Sequence, residues 1–102
     1  VSANMLRGEA EFRIGEQVHV LRPSFAALVA AEAELGPLFA LVERAAGGRL
    51  GLGELACLFW HCVKDRPETL AREAVGEAVV AQGLAAATPA LRVLLGQILQ
   101  GR

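Results

Sequence analysis

The densest reactive stretch in the chain is "CLFWHC", where Cys57, His61 and Cys62 fall within six residues. Four positions separate Cys57 from His61, which on a helix puts both side chains on one face at the spacing of two metal ligands. A structural zinc site needs four such donors. The other histidine, His19, lies in a distant segment and there is no third cysteine, so no metal site is expected. His61 could instead lower the pKa of Cys57 from the next turn and make a thiol nucleophile. No orienting acid or oxyanion donor accompanies the pair, so no catalytic residue is expected either. Cys57 and Cys62 sit about 140° apart around a helix, too far to bridge, and both should be reduced.

The other polar groups point away from catalysis. Glu32, Glu34, Glu43, Glu54, Glu73 and Glu77 are spread at spacings that suit solvated helix faces, and no pair stands out as general acid and base. The glycines of "GGRLGLGEL" (Gly48, Gly51 and Gly53 among them) lack the Lys-Ser/Thr of a phosphate loop and follow no parallel strand, so they read as a helix-helix joint. No cofactor is expected. Ten Lys and Arg against eleven Asp and Glu leave no basic excess for a polyanion. Lys64, Arg66 and Arg72 alone are too few for a helix-turn-helix on phosphates, and nucleic acid is excluded as a partner. The longest apolar stretches are interrupted by Glu, Gln or His and fall short of the ~20 residues a bilayer span needs. No membrane partner is expected, no export signal is visible, and a soluble chain in the cytoplasm follows as the expectation.

The length of 102 residues allows one hydrophobic core, so a single domain over 1–102 is expected, with a β-hairpin at 9–22 and a helical body at 24–100. The fold class is α+β, mostly α. Polar and apolar residues alternate over Glu9 to Ile14 and again over Val18 to Arg22, the period of strands. A three-residue turn, Gly15 to Gln17, pairs Ile14 with Val18 and Phe12 with Val20, placing all four on one apolar face. A two-residue turn at Gly15-Glu16 pairs Phe12 with His19, and the continuous apolar face favours the first arrangement. Pro23 closes the second strand and Ser24 caps a helix from Phe25 to about Leu35, stopped by Gly36. Pro37 opens the second helix. The third runs from about Leu52 to Lys64, the fourth ends near Gln82 before Gly83, and the fifth starts with Thr88 as cap and Pro89 in its first turn.

The third helix is apolar around more than half its circumference. Leu52, Leu55, Ala56, Phe59, Cys62 and Val63 form a core stripe, with Trp60 and Leu58 on its flanks. Val93 flanks the stripe of the fifth helix in the same way, and Val79 adjoins Val80 on the fourth. Such a third helix is either central, ringed by its neighbours, or part of a groove for another apolar helix. Leu58, Trp60 and Val93 are the candidate partner contacts on the second reading.

"GEAEFRIGEQVHVLRPSFAALVAAEAELG", Gly8 to Gly36, resembles the opening of the small phage tail assembly chaperones of the gene-transfer-agent type, a family also described as tail-tube-like. The shared pattern is Gly-Glu, a short strand, a Gly turn, a second strand ending in Leu-Arg-Pro, and a helix of Phe, Ala, Leu and Glu. "GRLGLGELACLFWHCV" and "EAVGEAVVAQGL" extend the resemblance over nearly the whole chain. It implies a non-enzymatic protein of the bacterial host cytoplasm that binds the apolar, helical tape-measure protein and keeps it soluble while the tail assembles. The tail-tube protein and a second copy of the chain are further implied partners. The hairpin would then offer a strand edge for contacts between subunits. The alternative, from composition alone, is a small non-enzymatic scaffold or regulatory interaction module.

Overall fold

The computed structural model describes residues 8–101; residues 1–7 and 102 of the expected domain lie outside them. Two five-residue antiparallel strands, β1 (Ala10–Ile14) and β2 (Gln17–Leu21), are followed by five helices: α1 (Phe25–Leu35), α2 (Leu38–Ala46), α3 (Leu52–Cys62), α4 (Arg72–Gln82) and α5 (Leu84–Gln100). The expected mixed, mostly helical class is the one observed.

The hairpin register corrects the sequence expectation. Phe12 faces His19 and Ile14 faces Gln17, across a two-residue turn at Gly15-Glu16. Turn chemistry decides the matter. Gly15 has φ +65° and Glu16 does not share the positive sign, the type II′ pattern that takes glycine at its first central position. The three-residue alternative needed a left-handed residue at Gln17, where no glycine is available. In the observed register Ala10, Phe12 and Ile14 make the buried face, while Val18, opposite Arg13, is left 49% exposed.

The outer side of β2 is not a free edge. The chain leaving α3 turns to lie along it: the Arg22 N–H donates to the Cys62 carbonyl (2.7 Å) and the Lys64 N–H to the Val20 carbonyl (2.8 Å). An isolated bridge pairs Leu21 with Val63. This pairing also explains why α3 ends at Cys62 rather than running to Lys64. On the other strand β1 packs against α4 and α5, and the Gln82 side chain donates to the Arg13 carbonyl (2.6 Å).

Ser24 caps α1 as expected, its hydroxyl accepting from the Ala27 N–H (3.2 Å), and Gly36 terminates it. Pro37 stands just ahead of α2, whose Leu38 N–H donates to the Glu32 carboxylate (3.0 Å). The start of α5 differs from expectation. The run Leu84 to Ala87 is made of strong helix formers, and the helix begins there, directly after Gly83. Thr88 is therefore not a cap; its hydroxyl donates back to the Leu84 carbonyl (2.8 Å), and Pro89 is carried inside the helix near its start.

Of the two readings of α3, the central one is observed. Leu55 to Phe59 are buried without a break, and α3 packs against α1 and α4. Phe59 is fully buried, and the ring of Phe12 meets it edge-on with centroids 5.2 Å apart, so helix and hairpin share one core. Among the described residues no single helix is long and apolar enough to cross a membrane.

Candidate functional site

Helix α3 holds Cys57 and His61 one turn apart, and α1 brings Glu34 to them, so that one donor atom of each lies within 4.8 Å of the others. The sequence could not show this third donor, because Glu34 is 27 positions from His61. What surrounds Glu34 decides what the cluster does. Arg72, the first residue of α4, binds both carboxylate oxygens, and His61 Nε2 lies 2.5 Å from one of them. The Arg72 hydrogen bonds, then that of His61, hold the Glu34 carboxyl down at about 2, and the same contact raises the pKa of Arg72. Burial, followed by the charge of Glu34, pushes the Cys57 thiol up, and burial alone pushes Cys62 up to about 12. A thiol held protonated is a poor nucleophile. The arrangement is an ion-pair clamp joining α1, α3 and α4.

Trp60 belongs to this clamp. Its indole N–H donates to the Leu70 carbonyl (2.9 Å), Arg66 and Arg72 lie over its ring at 3.6 and 4.5 Å from the centroid, and the His61 ring meets it edge-on. It is half-buried and held from several sides. Leu58 corrects the sequence expectation: it is fully buried, because α3 is central, and it offers no surface to a partner. Val93 is half-buried against the core. The structure thus does not bring Leu58, Trp60 and Val93 together as one exposed patch.

The exposed apolar surface lies elsewhere. Phe25 at the start of α1 is 85% exposed and Phe39 in α2 is 81% exposed. Both were legible only indirectly. In α2 the core takes Leu41 with Leu38 packed against it, which leaves Phe39 and Ala46 exposed and Val42 half-buried in the adjacent row, a second stripe on one short helix. In α1 the residue fully buried is Ala31, and the row Phe25, Val29, Glu32 is exposed. Between α2 and α5 runs a channel made of two adjoining depressions of about 190 and 410 Å³, with Val42 and Leu99 lining both. Phe39 and Ile98 wall the first; Leu91, Arg92, Leu95 and Gly96 line the second. A wider cleft of about 590 Å³ lies between the hairpin tip and α4, floored by Ile14, Leu70, Ala74 and Ala78.

Fold and surface together define a small, mostly helical protein with an ion-paired cluster at Glu34 and large apolar side chains on its surface. The chain belongs to the family described as phage tail tube protein, GTA-gp10, whose pattern it matches over residues 7–101. It is therefore a tail-related protein of the phage and gene-transfer-agent type. No curated protein and no solved structure matches it.

Proposed function

We propose that this protein is a tail assembly chaperone, a non-enzymatic subunit that binds the apolar, helical tape-measure protein and keeps it from aggregating until tail-tube subunits enclose it. The observation that carries the reading is the outward display of large apolar side chains, Phe25 and Phe39 above all, on a chain whose core is already filled. Covering one such side chain contributes about 1.5–3 kcal/mol, so a few of them suffice for reversible holding of a client. The family description favours a second reading, a subunit of the tube itself. A tube subunit is expected to be rich in long strands, whereas the described residues hold one hairpin with five-residue strands. That contrast supports the chaperone reading.

The test is co-expression with the cognate tape-measure protein. The soluble fraction of the tape-measure protein should rise and the two should co-purify. If it stays as insoluble as before while this protein is folded and abundant, a scaffold or regulatory role replaces the chaperone.

A further inference from the structure

The α2–α5 channel and the exposed row of α1 match each other in spacing and charge. Along α5, Leu99 and Arg92 are seven residues apart, about 10.5 Å at the rise of a helix. Along α1, Phe25 and Glu32 are also seven apart, with Val29 between them. Laid antiparallel, the α1 of one molecule sets Phe25 against Leu99 of another, Val29 over Leu95 and the adjoining Gly96, and Glu32 beside Arg92. Each contact suits its position. The depression at Leu99 is bounded by Leu38, Phe39, Val42 and Ile98, with Glu32 of the same molecule on its lining, and its apolar side chains can receive a ring that is 85% exposed. At Gly96 a Cβ would meet nothing within 4 Å, so the crossing point has room for a branched side chain. Arg92 is the one basic residue lining the channel, and among the described residues it makes no hydrogen bond or ion pair. Glu32 uses one carboxylate oxygen to accept the Leu38 N–H and keeps the other for a partner.

We infer that the channel between α2 and α5 is the docking site for α1 of a second copy of this chain, seated through Phe25, Val29 and Glu32. A free subunit arranged this way covers exposed apolar side chains of α1 and α5 with its own kind. The inference does not depend on the chaperone reading, since it concerns the protein alone.

Sedimentation of the purified protein across about 1–200 μM tests it, with two single variants that spare the fold. Phe25→Glu spoils the inserted row at a side chain standing in solvent. Gly96→Phe plugs the channel where there is open space. The parent should self-associate with rising concentration, and each variant should raise the dissociation constant about tenfold or more. Mixing the two is the sharper arm. Phe25→Glu keeps an intact channel and Gly96→Phe keeps an intact α1, so the equimolar mixture should regain dimers that neither forms alone. Arg92→Glu replaces Gly96→Phe in the same scheme if the latter melts early. A parent that stays monomeric throughout overturns the inference, as do well-folded variants that associate like the parent or a mixture that stays monomeric. Loss of client binding in these variants without any self-association would assign the channel to the client instead.

Discussion

Glu34 is the side chain on which three helices converge, and its contribution carries a definite pH dependence. The ordinary value of its carboxyl is 4.5 and the folded value is about 2, set by Arg72 first and His61 second. A carboxyl lowered by folding stabilises the protein fully above its unfolded value, and that stabilisation is lost as pH falls through the folded one. The parent should therefore lose melting temperature between about pH 4.5 and 2 more steeply than Glu34→Gln, as followed by circular dichroism; parallel curves would mean the clamp is idle. The thiols give a second expectation. With Cys57 pushed up by burial and Cys62 at about 12, neither should react with a slow alkylating reagent at neutral pH until the chain is unfolded. One equivalent of rapid reaction in the folded state would reopen a thiol chemistry for Cys57. The pair Cys57 and His61 was legible from spacing alone. Their partners Glu34 and Arg72 were not, since only the packing of α1 and α4 on α3 brings them there.

The hairpin shows how one local signal can overrule another. A continuous apolar face argued for Ile14 opposite Val18, yet the glycine sits where a type II′ turn needs it, and Val18 is the residue left in water. Gly15→Ala should cost about 1–3 kcal/mol, because φ +65° is a conformation that alanine adopts only under strain. Val18→Thr should change stability by no more than about 0.5 kcal/mol. Chemical denaturation of both variants checks the register; the reverse order of effects would contradict it. Helix caps at Ser24 and the stops at Gly36 and Gly83 could be read directly, because each is a local hydrogen-bond or conformational requirement. The start of α5 could not, because an alanine-rich lead-in tolerates a later proline. The end of α3 was set by a partner far away in sequence, the second strand.

The molecule as a whole is organised around α3. Phe59 is fully buried at its centre and meets Phe12 of the hairpin, so Phe59→Ala should cost about 3–5 kcal/mol through lost burial and a cavity. That approaches the whole stability of a domain this size, and a variant melting within a couple of degrees of the parent would show that the core lies elsewhere. The same centrality explains why Leu58 is no contact residue: an all-round apolar helix in a small protein is more economically placed inside than on the surface. Periodicity could say that α3 was either central or sticky, and only the packing of its neighbours decided between them. The most exposed large apolar side chains consequently fall on α1 and α2, at Phe25 and Phe39, and α5 adds Leu84 and Leu99.

The most direct test of the chaperone function is the aggregation of tape-measure protein diluted from denaturant, followed by light scattering with increasing amounts of this protein. Scattering should be suppressed as the two approach equimolar binding sites, with a complex recovered by size exclusion. An unchanged rise in scattering at a severalfold excess of folded protein would contradict it.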